Sequence, residues 1–343
     1  MGALFDSCRK KSKTIKMKPE EISAKKNIFG FAMLGKKKEI DQVGQDVLDE
    51  IYPDLGKNSR FIAVYDGHGS RGKEAATLAK DEIRKALIDD RENLPNKLKD
   101  KKESEKYFVK MFKTIQHKYK KKLQDFDLSG TCAVCVLQMD QKLYFINLGD
   151  SRAAMGVKSV TSTAGVFQLY AYQMTIDHKA NREDEKRRVD ANQGIVLNER
   201  NGISGPPRVY PKNEDGPGLC VSRSFGDVLL HSFGVSEEPE LSFKDIENDD
   251  KFIVIGSDGL WDVMNSAEAV GFVFQKWEQV SKDKLAEELV KEARSRWEAI
   301  NNYKFKLQME KNKDNMAQQN NFKSNNMMSI DDITAVIMFL NDA

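Results

Sequence analysis

Short apolar runs recur along the middle of the chain and predict strands. Each run is rich in β-branched or aromatic residues and ends at glycine or polar residues, which is the usual pattern of a buried strand. The runs cover residues 61–65, 131–137, 143–148, 167–173, 252–255 and 334–339. The sequence therefore predicts a body that is rich in β-structure.

Other segments carry apolar residues at intervals of three or four and predict helices with one buried stripe. The stripes consist of Ala75, Ala79, Ile83 and Leu87, of Phe108, Phe112, Ile115, Tyr119 and Leu123, and of Leu285, Leu289, Ala293 and Trp297. These helices are separated by several strands and do not alternate strictly with them. This order favours an α+β architecture in which sheet packs on sheet and helices lie outside.

Two polar segments interrupt this pattern. Residues 1–26 are basic and lack apolar periodicity, so we expect a flexible N-terminal segment before a domain at 27–342. Residues 301–328 are rich in Asn, Gln, Lys and Met, a composition that buries too little apolar surface to offset the entropy of ordering. We expect a flexible insertion there.

The composition narrows the functional classes. Hydrophobic residues make up 40% of the 343 residues, enough for a real core, and charged residues make up 31%. The net charge of +2 argues against nucleic acid as the main partner, because proteins that bind the phosphate backbone concentrate positive charge. No apolar window is long enough for a membrane span, and the start lacks the apolar run of a secretory signal. With four scattered cysteines and no heptad repeat, we expect a cytoplasmic monomer with reduced thiols.

Carboxylates follow or precede several of the predicted strands. Asp66, Asp150 and Asp258 come at the ends of three apolar runs, and Asp331 with Asp332 comes just before another. Each alone is an ordinary turn residue. Together they indicate a cation, because convergent carboxylates repel one another and are costly to bury uncompensated. Oxygen ligands without His or Cys pairs suit Mg²⁺ or Mn²⁺ and not zinc.

The ordered motifs of the chain resemble those of the metal-dependent type 2C protein serine/threonine phosphatases. They are Asp66-Gly67-His68-Gly69, Ser129-Gly130-Thr131, Gly149-Asp150-Ser151-Arg152, the run PGLCVSRSFGD at 217–227, Ser257-Asp258-Gly259-Leu260-Trp261-Asp262, and Asp331-Asp332-Ile333-Thr334. Any one motif is weak, but the ordered series is specific. The resemblance implies a central β-sandwich of two antiparallel sheets flanked by α-helices on both sides, a four-layer fold.

The resemblance also implies a set of metal ligands. Asp66 would bridge two ions, Mg²⁺ or Mn²⁺, with the Gly67 carbonyl on one of them. Asp258 and Asp331 would be further ligands of the pair. Asp150 resembles a residue that some members use at a third, weaker metal position.

The sequence departs from the family pattern at Gln45 and at Asp332. Asp46 resembles the early acidic ligand, but Gln45 stands where one common version of the motif has an acidic residue. Asp332 stands where the family has Asn after its last metal aspartate, so Asp331 is taken as the ligand and the role of Asp332 stays open.

The mechanism implied by the resemblance needs no protein nucleophile. Two divalent ions would lower the pKa of a bridging water and neutralise charge on the phosphoryl group. His68 is the candidate general acid for the leaving serine or threonine oxygen. A basic residue should hold the substrate phosphate, and Lys36, Lys37 and Lys38 lie in the right segment. The proline-rich stretch at 199–218 is expected to form a flap beside the site.

The function implied is metal-dependent hydrolysis of phosphoserine and phosphothreonine in phosphoproteins. The alternative is a catalytically inactive scaffold that binds phosphoproteins or a kinase. The enzyme is favoured, because such a scaffold would normally have lost one or more carboxylates, and Asp66, Asp258 and Asp331 are all present with His68.

The first residues offer a conditional membrane anchor. Gly2 follows Met1 as N-myristoylation requires, and Cys8 is a candidate palmitoylation site beside several basic residues. Asp6 stands where the consensus has Ser or Thr. One acyl chain binds membranes only marginally, so a second chain or a basic patch is needed, and this segment could supply both.

Overall fold

The computed structural model describes residues 27–35, 44–52, 54–56, 58–160, 167–200, 203–213, 216–311 and 329–340. The predicted lysines Lys36, Lys37 and Lys38 lie outside these residues, as do Gly2, Cys8 and the rest of segment 1–26.

Strands make up most of the central body. In chain order they are β1 (Ile28–Met33), β2 (Val47–Ile51), β3 (Ser59–His68), β4 (Gly130–Met139), β5 (Lys142–Leu148), β6 (Arg152–Val160), β7 (Phe167–Gln173), β8 (Gly194–Arg200), β9 (Ile203–Pro211), β10 (Phe225–Gly226), β11 (Glu240–Asp245), β12 (Asp250–Gly256) and β13 (Ile333–Phe339). Each of the six apolar runs in the sequence falls inside one of these strands.

Helices lie outside the strands. They are α1 (Gly72–Asp89), α2 (Leu94–Lys97), α3 (Lys101–Lys120), α4 (Leu123–Phe126), α5 (Glu183–Ala191), α6 (Asp258–Trp261), α7 (Ser266–Trp277) and α8 (Lys282–Lys311), with a 3₁₀ turn at Leu230–Phe233. The three predicted stripes fall on α1, α3 and α8, although the last residue of the second, Leu123, lies in α4. Of the helices described, none is both long and apolar enough to cross a membrane.

Two antiparallel sheets form the centre of the molecule. One has five strands in the order β1-β13-β12-β6-β7, and the other has the order β11-β5-β4-β3-β2 with β10 paired to β4. All these pairings are antiparallel. The hairpin β8–β9 forms a separate two-stranded sheet.

The side chains of each strand point alternately to its two faces, and this divides the core into layers. On β4, Val134 and Val136 face the core between the two sheets, whereas Ala133, Cys135 and Leu137 face the helices. Successive side chains of a strand point to opposite faces, so a strand that is covered on both faces reads as a continuous apolar run. This explains why β3, β4, β5, β12 and β13 were visible in the sequence, whereas β7 is an edge strand whose side chains are mostly exposed.

Helices cover the outer face of each sheet. The helices α1 and α3 pack on the sheet that contains β3 and β4, and α7 and α8 pack on the sheet that contains β12 and β13. The result is the predicted four-layer α+β sandwich, which is confirmed.

A helix extends into the segment where the sequence predicted a flexible insertion. The helix α8 continues to Lys311, so residues 301–311 are helical and the expectation of a flexible segment is wrong for them. Within this helix, Trp297 is tied to the core by its Nε1, which donates to the Gly259 carbonyl at 2.7 Å. Residues 312–328 lie outside the described part of the chain.

The expected flap is part of a small subdomain that the sequence did not reveal. The range 199–218 contains the end of β8 and all of β9, and this hairpin packs beside α5. A small apolar cluster of Val189, Val209, Leu230 and Val235 holds the unit together.

Candidate metal centre

Three aspartates from separate strand ends form the centre of the site. Asp66 lies in β3, Asp150 follows β5, and Asp258 begins α6 directly after β12. One carboxylate oxygen from each of the three lies within 4.8 Å of the others. Since β3 and β5 belong to one sheet and β12 to the other, the site lies where the ends of interior strands from the two sheets meet.

These carboxylates are mostly buried and repel one another, so their ionised forms are unfavourable. Burial raises the pKa of Asp66 well above its usual range, and the charges of Asp258, Asp46, Asp331 and Asp150 raise it further. Burial also raises the pKa of Asp258, with Asp150 and Asp331 adding to the effect. Because Asp331 acts on both groups, it belongs to the same neighbourhood. Buried like charges of this kind are relieved by a bound cation.

Asp46 lies against the same cluster. Its side chain is buried, and its Oδ2 has no hydrogen-bond partner among the described residues. Burial is the main cause that raises its pKa to about 6, with Asp332 and Asp331 contributing. An unpartnered carboxylate oxygen beside other carboxylates fits a hard divalent cation, which prefers oxygen ligands.

The Asp332 carboxylate is occupied by hydrogen bonds from two backbone amides. Its Oδ1 accepts a hydrogen bond from the Gly35 amide and its Oδ2 accepts one from the Gln45 amide, both at 2.7 Å. The Gln45 side chain in turn donates to the Gly69 carbonyl at 2.8 Å. Asp332 therefore holds the backbone at Gln45, directly before Asp46, and joins it to Gly35.

A histidine–aspartate pair adjoins the carboxylates. His68 Nε2 lies 2.7 Å from Asp227 Oδ2, and the Ser224 hydroxyl donates to the same oxygen at 2.6 Å. Burial alone would lower the pKa of His68, but the charge and hydrogen bond of Asp227 outweigh it and raise the pKa. The side chain of His68 is 27% exposed, so it is open to a substrate, whereas that of Asp227 is buried.

The backbone around Asp227 is shaped for this contact. Asp227 has a φ of 42°, a conformation that non-glycine residues rarely adopt, and Gly226 before it has a φ of 78°. A Cβ on Gly130 would lie 2.2 Å from Asp227 Oδ2. Sequence reasoning missed the role of Asp227, although it is the last residue of the motif at 217–227.

Two lysines lie beside the site in the described part of the chain. Lys73 Nζ donates to the Asp46 carbonyl at 2.7 Å, and Lys179 Nζ lies 2.6 Å from Asp150 Oδ2. Neither was singled out in the sequence.

A second acidic group, on α5 and at the start of β11, is already paired with arginines. Asp184, Glu185 and Glu240 lie close together. Glu185 is paired with Arg188 at 2.6 Å and with Arg223 at 2.7 Å. With its partners supplied by the protein, this group ties α5 to the segment after β9 and is not a candidate cation site.

Comparison with known proteins agrees with this geometry. The model of the family "Protein phosphatase 2C" matches residues 31–301. A probable protein phosphatase 2C 14 from Arabidopsis thaliana is 36% identical over 264 residues, which cover 76% of this chain and 52% of the relative. A probable protein phosphatase 2C 64 from Oryza sativa is 32% identical over 244 residues, covering 69% of this chain and 54% of the relative. The chain thus spans about half the length of these relatives.

Solved structures share the fold. A serine-threonine phosphatase 2C from Toxoplasma gondii superposes with a TM-score of 0.68 and 23% identity, covering 92% of this chain and 94% of that one. A sex determining protein of C. elegans gives a TM-score of 0.63 and 21% identity, covering 92% of this chain and 64% of that one. At these identities the likeness concerns the fold.

Proposed function

Because this chain belongs to the protein phosphatase 2C family, we propose that it hydrolyses phosphoserine and phosphothreonine in proteins in a metal-dependent reaction. The observation that carries the proposal is the cluster of Asp66, Asp150 and Asp258, whose carboxylate oxygens lie within 4.8 Å of one another. The paired His68 lies two residues from Asp66 at the end of the same strand.

The donor set fits hard divalent cations, Mg²⁺ or Mn²⁺. Asp66, Asp258 and Asp331 would hold two of them together with Asp46 and the Gly67 carbonyl, and Asp150 would serve a third, weaker position. When bound, such ions lower the pKa of water and neutralise charge on the phosphoryl group. The remaining steps depend on side chains of this chain.

His68 is proposed to give a proton to the leaving serine or threonine oxygen. Its Nε2 is held by Asp227 at 2.7 Å, so Nδ1 is the nitrogen that can deliver the proton. Asp227 favours the protonated imidazole and fixes the ring. An alkoxide is a poor leaving group, so this proton matters most for the natural phosphoamino acids.

The phosphate of the substrate needs a basic partner. Lys37 and Lys38 remain predictions for this role, since they lie outside the described residues. Lys73 already donates a hydrogen bond to the Asp46 carbonyl, so we propose that it holds the backbone at Asp46 in place and does not bind the phosphate.

The proposal is tested with the purified full chain and a phosphoserine peptide. After treatment with a chelator the protein should release no phosphate, and adding Mn²⁺ or Mg²⁺ should restore the release. Absence of turnover at every metal concentration would contradict the proposal. Binding of the phosphopeptide without hydrolysis would instead support the inactive scaffold.

A further inference from the structure

A lysine ammonium lies against the acidic cluster at the edge formed by Asp150 and Asp262. Lys179 Nζ is 2.6 Å from Asp150 Oδ2 and 3.9 Å from Asp262 Oδ1. The Asp150 side chain is only 4% exposed, whereas 41% of the Lys179 side chain is exposed. The lysine therefore reaches from the surface into the cluster.

The backbone of Lys179 is fixed on both sides. Lys179 and Val221 form an antiparallel bridge, and the Ser222 amide donates to the His178 carbonyl at 2.9 Å. The His178 amide donates to the Gly149 carbonyl, and the Gly149 amide donates to His178 Nδ1, both at 2.9 Å. Because Gly149 directly precedes Asp150, these bonds set the lysine opposite the carboxylate. The ammonium can leave Asp150 only if the side chain turns outward.

The charge of Lys179 reaches beyond its hydrogen-bond partner. Burial raises the pKa of Asp258 and of Asp262, and Lys179 opposes this in both. A divalent cation held by Asp150 and Asp262 would lie within a few ångströms of the ammonium and would be repelled by it. The ammonium and a divalent cation would therefore compete for the same pair of carboxylates.

We propose that Lys179 is a built-in competitor for the cation position at Asp150 and Asp262, so that an ion binds there only when the lysine side chain has moved away. The ammonium thereby keeps this position weak while the ions near Asp66 and Asp331 bind more tightly. The inference rests on the proposed metal centre and adds a role for Lys179.

The test compares Mn²⁺ binding by three forms of the full chain, measured by calorimetry and by equilibrium dialysis with metal analysis. Lys179→Met removes the charge and keeps much of the length of the side chain, whereas Lys179→Arg keeps the charge. Lys113→Met is the matched control, because Lys113 pairs with Glu238 at 3.3 Å on the exposed surface.

The weakest Mn²⁺ site should tighten at least tenfold in Lys179→Met, and the tighter sites should change by much less. Lys179→Arg and Lys113→Met should keep the wild-type affinity at that site. An unchanged weakest site, or equal tightening of all sites, would overturn the proposal, since the second result shows only a general effect of charge.

Thermal unfolding gives a second readout that does not depend on turnover. Without divalent ions, Lys179→Met should unfold at a lower temperature than wild type, because Asp150 has lost its counterion. Added Mn²⁺ should raise the midpoint more in Lys179→Met than in wild type, since tighter binding to the folded state stabilises it more. An equal rise in both would count against the competitor. If wild type binds no Mn²⁺ at all, the proposed metal centre itself fails.

Discussion

His68 and Asp227 form a hydrogen-bonded pair, with Nε2 2.7 Å from Oδ2, although they are 159 residues apart in the chain. The strand β3 brings His68 to the site, and the turn after β10 brings Asp227. The Ser224 hydroxyl bonds the same carboxylate oxygen, so the aspartate is held on a second side. The pair orients the imidazole and favours its protonated form, which is what a general acid needs.

Removing His68 should affect substrates according to their leaving group. His68→Ala should slow hydrolysis of a phosphoserine peptide by roughly 10²–10⁴-fold, the usual contribution of a general acid. An activated aryl phosphate should lose far less, because its leaving group needs no proton. Steady-state kinetics on both substrates give the answer. Equal losses of turnover on the two substrates would show that His68 positions the reacting groups and does not protonate the leaving oxygen.

Asp227→Asn should show the same dependence on the leaving group in a milder form. The amide cannot stabilise the imidazolium by charge, so turnover of the phosphoserine peptide should fall by about 10-fold to 10²-fold. Asp125→Asn is the matched control, because Asp125 is an exposed partner of Arg71 at 2.7 Å.

The double variant His68→Ala, Asp227→Asn shows whether Asp227 acts by positioning His68 or through a separate structural defect. If Asp227 acts through His68, adding Asp227→Asn to His68→Ala should cost little further activity. A full additional loss in the double variant would mean that Asp227 acts independently of the histidine.

The strands β3, β4, β5, β12 and β13 could be predicted because burial on both faces leaves few polar positions. The strand β2 could not, since its sequence VLDEI carries two acids. Asp49 is nonetheless buried there because Arg84 of α1 pairs with it. Such a pairing depends on tertiary structure and leaves no local pattern.

The sequence predicted the acidic residues of the site but not the hydrogen bonds that hold the site in place. Carboxylates at strand ends are visible in a sequence. The contacts of Asp332 with the Gly35 and Gln45 amides join positions almost 300 residues apart. The contact of Asp227 with His68 depends on a positive φ and on Gly130, which no propensity indicates.

Glu185 should stabilise the contact between α5 and the segment after β9 in a pH-dependent way. Burial opposes its ionisation, but hydrogen bonds from Arg188, Arg223 and Ser222 outweigh this and lower the pKa of Glu185. Because the folded-state pKa is lowered, the stabilisation is present above the unfolded-state pKa of about 4.3. It is lost as the pH falls through the folded-state value.

Glu185→Gln should therefore lower the free energy of unfolding at neutral pH by ~3–5 kcal/mol, the usual cost of breaking a buried ion pair on one side. The difference from wild type should shrink towards low pH, and denaturant unfolding at several pH values measures it. Glu183→Gln is the control, since Glu183 is 82% exposed and lies 3.9 Å from Arg187. A pH-independent difference would argue against the ionised carboxylate as the cause.

Residues 312–328 should be dispensable for the chemistry. Their composition is polar, and α8 is already tied to the core upstream of them by the bond from Trp297 to the Gly259 carbonyl. Replacing them with a short Gly/Ser linker should leave turnover of an aryl phosphate within about twofold of wild type, as surface changes usually do. Loss of folding, measured by circular dichroism, would show that the segment contributes an ordered element.

The most direct test of the metal-dependent phosphatase is Asp66→Asn, measured as Mn²⁺-dependent release of phosphate from a phosphoserine peptide. Asp66 is the cluster member on which Asp258, Asp46, Asp331 and Asp150 all act, so its charge should be central to metal binding. Turnover should fall by at least roughly 10²-fold, since a catalytic metal ion contributes several kcal/mol, while the circular dichroism spectrum stays that of wild type. If Asp66→Asn hydrolysed the peptide as fast as the wild type, and this activity still depended on Mn²⁺, the account would be contradicted.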